Sequence, residues 1–171
     1  SVCEENINLF KLPKEKYMIV NNSLDFSKYP DRKVEKINMK FNNLLWFGRV
    51  SKEKKPSIET GIRFFNYIKE HNDSAKLTIV GDGEILNEIK EKYKENNIEF
   101  IGAVSDVTPY INQSDILLGV DRCVLESIAS KKPTVICGYK KNITLVTPDI
   151  LEEAVKENFT GNNLKNDEEE I

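Results

Sequence analysis

Leu44-Leu45-Trp46-Phe47-Gly48, followed by Arg49-Val50-Ser51-Lys52-Glu53-Lys54-Lys55-Pro56, is the stretch on which the fold turns. Four apolar residues in a row, closed by glycine, show no alternation and read as a strand buried on both faces. Pro56 stands where the first turn of a helix tolerates a residue without an amide hydrogen. Beyond it Ile58, Ile62, Phe65 and Ile68 recur at intervals of four, three and three, a single apolar stripe along a helix. The same order then repeats. Residues 75–80 read as a strand ended by Gly81-Asp82-Gly83, and Ile85, Leu86, Ile89 and Tyr93 line a helix. Residues 98–101 form a third strand closed by Gly102, before a short helix marked by Val107, Tyr110 and Ile111. Residues 115–119 are a fourth strand, 122–130 a helix with Leu125, Ile128 and Ala129 inward, 133–137 a fifth strand and 151–158 a last helix.

Strands alternating with helices imply an α/β protein with a Rossmann-like, mainly parallel sheet flanked by helices. Such sheets bind ligands beyond the carboxyl ends of their strands. Four turns therefore carry the functional question: 48–55, 81–84, 102–106 and 119–122. The first forty residues differ. Residues 17–20 suit one more strand, and 21–43 are polar, with Asp25, Pro30 and Asp31 as turn formers. A linker ahead of a complete α/β unit predicts that the chain is the later part of a longer protein. The expected division is 1–42 as a crossover from a preceding lobe, 43–160 as the ligand-binding domain and 161–171 as an acidic tail.

Composition bounds the function. The chain has 171 residues, 39% of them hydrophobic, which suits one domain. No apolar run approaches the roughly 18 residues needed to span a bilayer, and the start lacks the pattern of a signal peptide. A net charge of −3 and a pI near 5.4 give nucleic-acid binding little support. Asp167 to Glu170 account for that charge, so the body is close to neutral. Cys3, Cys123 and Cys137 are odd in number and distant, which argues against a disulfide framework or zinc site and for a reducing, cytoplasmic compartment. His71, the only histidine, sits in a polar helix end and leaves no basis for a His-based triad or a His-rich metal site.

Three loops have chemistry to offer. Arg49 and Lys54 flank the loop after the first strand; a guanidinium fork and an ammonium suit a phosphate, and equally suit a solvated basic loop. Gly81-Asp82-Gly83 invites a dinucleotide reading, but Leu86 stands where G-x-G-x-x-G needs its third glycine, so a tight turn is the better account. Gly119-Val120-Asp121-Arg122-Cys123-Val124-Leu125-Glu126 runs from a buried strand straight into a helix, whose first amides form an anion site. Glu126, one turn in, reaches back either to a vicinal diol such as a ribose or merely to the helix dipole.

The ordered set Phe47 to Lys54, Val80 to Glu84, Phe100-Ile101-Gly102-Ala103-Val104-Ser105-Asp106, and Leu125-Glu126-Ser127-Ile128-Ala129 with Pro133-Thr134-Val135 resembles the C-terminal half of GT-B glycosyltransferases. It is nearest the large retaining family with an E-x7-E motif, the group 1 glycosyltransferases, over about residues 44–137. Pro13 to Lys16, Asn22 to Asp25, Val146-Thr147-Pro148 and Asn158 to Gly161 are similar to motifs that enter and close such a lobe. The resemblance implies a donor-binding domain for a nucleotide-sugar, working on a glycan or lipid-linked acceptor with an N-terminal lobe. It further implies polysaccharide synthesis at the inner face of a membrane, and no metal cofactor. Arg49 and Lys54 would contact the donor diphosphate and carry the catalytic stabilisation. Gly48, Gly81 and Gly83 belong to donor-binding turns; Ile101, Gly102, Ala103 and Val104 would cradle the base; the amides of Arg122, Cys123 and Val124 would face phosphate; Glu126 would hold the ribose.

Two departures qualify this. The first glutamate of E-x7-E falls at Leu118, and Asp121 replaces the second glycine of a G-x-G-R variant. Asp121 either caps the amides that should bind phosphate, which weakens the donor site, or turns to sugar hydroxyls. A sugar-nucleotide epimerase of the same fold and a non-catalytic nucleotide-binding domain are the alternatives.

Overall fold

The computed structural model describes residues 41–94 and 96–165, with positions 13, 24, 25, 27 and 29. The expected strand at 17–20 and most of the expected linker lie outside the described residues, as does the tail beyond 165. Six strands form one sheet: β1 (Asn43–Phe47), β2 (Lys76–Val80), β3 (Ile98–Gly102), β4 (Ile116–Gly119), β5 (Thr134–Cys137) and β6 (Ile143–Leu145), in the order β3-β2-β1-β4-β5-β6. β1 to β5 are parallel and β6 is antiparallel to β5. The five parallel strands are those the sequence predicts. Ile143-Thr144-Leu145 is too short to show a period and was not foreseen.

The helices are α1 (Lys55–His71), α2 (Leu86–Lys92), α3 (Thr108–Gln113), α4 (Arg122–Ala129) and α5 (Leu151–Lys156). Successive strand residues serve opposite faces, as the pleat demands. Leu44 and Trp46 join Leu77, Ile79, Ile116, Leu118, Val135 and Cys137 in a core closed by Ile58, Ile62 and Phe65 of α1 and Ile89 of α2. Leu45, Phe47, Val80 and Leu117 look the other way, against Ile111 of α3 and Cys123 of α4. Val120, Val124 and Ile136 meet Ala154 of α5, Phe159 and Leu164 in a third cluster. Gly61 costs α1 roughly 1 kcal/mol relative to alanine. A Cβ there would sit 3.3 Å from Trp46 Cδ1, so glycine lets the helix cross the indole closely.

The sheet's winding reverses between β1 and β4. Chain entry to β1 is anchored beside that reversal, where Asp115 Oδ2 accepts the amides of Asn42 and Asn43 at 2.9 and 2.8 Å. Cys123 and Cys137 are buried, and burial raises both thiols, Cys137 to about 12. Both should therefore resist iodoacetamide at pH 8 in the native state and react only in denaturant, as read by peptide-resolved mass spectrometry.

Candidate functional site

The loops after β1 and β2 are built as one piece. Gly48 donates to the Val80 carbonyl at 3.0 Å, Val50 donates to the Asp82 carbonyl at 2.9 Å, and Ile85 donates back to the Val50 carbonyl at 3.3 Å. Glu84 Oε1 accepts the Lys52 amide at 2.8 Å, and that hydrogen bond chiefly holds its carboxyl below the usual carboxylate range. Gly81 has φ +142°, and any Cβ there would collide with the Gly48 carbonyl oxygen; one at Gly83 would collide with the Val50 carbonyl oxygen. Close backbone approach by itself requires glycine at both positions. Together they hold Val50 fully buried with Arg49 exposed at the carboxyl edge of β1. Among the described residues Arg49 makes no ion pair, although its charge acts on Glu84.

Across the reversal lies the entry to α4. Asp121 is its N-cap, with φ 58° and ψ −131°, torsions that glycine adopts freely and other residues at a cost of about 1–3 kcal/mol. Its amide donates to the Phe159 carbonyl at 3.1 Å. Its side chain makes no cap hydrogen bond, so the expectation that it might cover the helix amides is corrected. Instead Oδ2 takes the Lys54 ammonium at 3.0 Å and the Tyr139 hydroxyl at 2.7 Å. The ion pair joins the β1 loop to the β4 loop over the crevice, and both side chains are largely buried. Burial first, and then the hydrogen bond and charge of Asp121, push the Tyr139 phenol well above its ordinary value.

A second correction concerns the helix amides. Val124 donates to the Asp121 carbonyl at 3.1 Å and is spent. The amides of Arg122 and Cys123 make no hydrogen bond to another described residue, so two donors at the positive end of α4 stay open. Their residues differ otherwise: Arg122 is exposed, while the Cys123 thiol points inward and donates to the Val120 carbonyl at 2.9 Å. Glu126 leans toward the helix start, as a helical side chain should. Its Oε1 accepts from Arg122 Nε at 3.0 Å, with the carboxylate side chain only 16% exposed. Ile101 packs on the second core cluster, Gly102 has φ +86° with open space around it, and Ala103 and Val104 are exposed, Val104 to 37%.

The structure therefore brings Lys54, Asp121, the two amides and Glu126 to one edge of the sheet, with Arg49 and the 101–104 loop along the same edge. Leu118, in the place of the motif's first glutamate, is 1% exposed inside β4 and faces the α1 core. Two residues escaped the sequence reading. Tyr139 follows the fifth strand, a position that strand-end logic alone would have flagged. Tyr29 had no signal, lying in a polar stretch. Its phenol is raised by burial first, next by the charge of Glu126, with Arg122 opposing, so it lies within electrostatic reach of the helix start. Among the described residues there is no cluster of three or more His, Cys, Asp or Glu side chains for a metal, and no helix long and apolar enough to cross a membrane.

The family model described as "Glycosyl transferases group 1" matches residues 42–158. An uncharacterized glycosyltransferase of Methanocaldococcus jannaschii is 24% identical over 148 residues, which cover 77% of this chain and 36% of the relative. The chain thus spans about a third of the length of that curated relative. Among solved structures, Anabaena HepE in complex with UDP and glucose aligns with a TM-score of 0.56 at 16% identity, over 77% of this chain and 42% of that one. HepE in complex with UDP aligns at 0.55 over the same shares. At such identity the likeness is one of fold.

Two outcomes follow from the geometry. Gly81→Ala should cost on the order of 3–5 kcal/mol, because both torsion and the Gly48 carbonyl oppose it, and the urea midpoint should fall accordingly. Tyr139 has a raised folded-state value, so its contribution is intact below about pH 10 and is lost as pH rises above that, when only the unfolded chain gives up the proton. Tyr139→Phe should flatten that alkaline fall in urea midpoints.

Proposed function

Because the chain belongs to the group 1 glycosyltransferases, we propose that it is the nucleotide-sugar-binding domain of an enzyme that transfers a sugar from a nucleoside diphosphate to a glycan or lipid-linked acceptor. The observation that carries this is the pair of open amides at Arg122 and Cys123, set beside Lys54 at the reversal of the sheet. A diphosphate there gains two backbone hydrogen bonds and the positive end of α4. Arg49 adds charge that counters the negative charge developing on the leaving diphosphate, and Lys54, whose charge is balanced by Asp121, adds a further hydrogen-bond donor, so no metal is required for that task. Glu126, with one carboxylate oxygen engaged by Arg122, offers the other to a ribose diol. Exposed Val104 and Ala103 offer an apolar rest for the base. HepE, alike in fold, is in complex with UDP and glucose, which supports a nucleoside diphosphate sugar as the donor class.

In this reading residues 1–42 cross from an N-terminal lobe that supplies acceptor contacts and 43–160 hold the donor; the expected tail from 161 is corrected at its start, because Leu164 packs into the core beside Phe159 and the Lys165 carbonyl accepts from Thr144 Oγ1 at 2.6 Å. The enzyme works on the cytoplasmic side, peripheral to the membrane face where polysaccharide precursors are built; unpaired buried thiols support a reducing compartment. Leu118 in place of a sugar-binding glutamate is the observation that favours a second reading, a non-catalytic nucleotide-binding domain. Turnover of the full-length protein with nucleotide-sugars separates the two.

Calorimetric titration with UDP, GDP and ADP in EDTA-containing buffer tests the site. At least one should bind without metal, and Arg49→Ala should weaken it by about 1.5–3 kcal/mol, roughly ten- to hundredfold. Equal affinity in wild type and variant would remove Arg49 from the diphosphate site.

A further inference from the structure

Asp121 is the residue that the rest of the site opposes. It puts a carboxylate next to two amides suited to an anion, and it holds torsions that favour glycine. Yet it is firmly built in. Lys54 Nζ at 3.0 Å and Tyr139 Oη at 2.7 Å converge on the same oxygen, Oδ2. Oδ1 makes no hydrogen bond among the described residues, and the side chain keeps 23% exposure. A carboxylate that only balanced Lys54 would need neither a neutral phenol donor on the same oxygen nor a second oxygen left open.

Resting on the donor-site reading above, we propose that Asp121 is the residue that selects the transferred sugar, its Oδ1 accepting a hydrogen bond from a hydroxyl of the sugar carried by the diphosphate. Placement supports it. Asp121 directly precedes the open amides of Arg122 and Cys123, whereas the backbone of Glu126 lies five residues, ~7.5 Å of helix, further along. With the ribose at Glu126 and phosphate on the amides, the sugar end of the ligand falls at Asp121. Lys54 neutralises the carboxylate, so it tolerates a neighbouring phosphate. Tyr139 fixes the orientation of the carboxylate through Oδ2 while leaving Oδ1 to the ligand. Leu118, sealed in the core, can make no such contact. A site that hydrogen-bonds a substrate hydroxyl discriminates strongly against ligands that lack it or misplace it.

The experiment compares parent diphosphates with their sugar conjugates. UDP, UDP-glucose, UDP-galactose, GDP, GDP-mannose, ADP and ADP-glucose are titrated into wild type, Asp121→Asn and Asp121→Gly. Asparagine keeps an acceptor for Lys54 and Tyr139 but puts an NH2 in the place of the open oxygen. Glycine suits the torsions, so a folded variant is available even if asparagine perturbs the turn; a thermal melt verifies each. The expected result is that the affinity of the best conjugate relative to its parent diphosphate falls about tenfold or more in both variants, a ratio that cancels whatever the altered Lys54 environment does to diphosphate binding itself. Preference between epimeric sugars should collapse with it. Equal changes for parent and conjugate, or none for either, would overturn the proposal and leave the donor-site reading standing. Absence of binding by every diphosphate and conjugate to wild type would overturn the donor-site reading and this proposal with it.

Discussion

β1 is hydrogen-bonded on both flanks, to β2 and to β4, and the direction in which the sheet is wound reverses there. A reversal parts the loops at the carboxyl edge and opens a crevice that backbone alone cannot close. The Lys54–Asp121 ion pair spans it. The proposed anion site depends on this placement: the ammonium comes from the β1 loop, the open amides from the β4 loop, and only adjacency of those two strands brings them together.

The same region shows how charge is managed. Two amides at the start of α4 invite an anion, while a carboxylate sits one residue away. The conflict is resolved by where the carboxylate goes. Its torsions turn it from the amides, an ammonium neutralises it, and a phenol fixes it. A buried ion pair of this kind contributes little net stability once desolvation is counted. Its value lies in geometry, since it holds Lys54 at the mouth of the helix.

The glycines divide in a related way. Gly81 and Gly83 allow the β1 and β2 loops to lie backbone against backbone, and Glu84 locks the outer end by accepting the Lys52 amide. Arg49 is thereby carried on a hydrogen-bonded turn, with its own side chain exposed and its charge acting on Glu84. Gly102, in contrast, has open space around it, beside exposed Ala103 and Val104. One edge of the site is thus tightly packed and the other open, which suits firm placement of phosphate and a looser rest for a flat ring.

Much of this was legible in the residues. Continuous apolar runs closed by glycine marked five parallel strands, and 3.6-residue spacing marked the helices, because burial imposes those periods on any chain that adopts them. Group 1 membership was likewise legible, carried by ordered local motifs around turns. What stayed hidden is what depends on distant residues meeting. β6 has three residues, too few for a period, and exists because Val135 to Cys137 offer an edge. Whether Asp121 covered its own helix was a question of torsion and of partners 67 and 18 positions away. The loss of the Val124 amide and the nearness of Tyr29 to Glu126 were equally beyond local pattern. Local sequence sets which elements form, because periodicity and turn chemistry act over a few residues; only the folded sheet decides which charges meet, because Coulomb forces and hydrogen bonds act through space rather than along the chain.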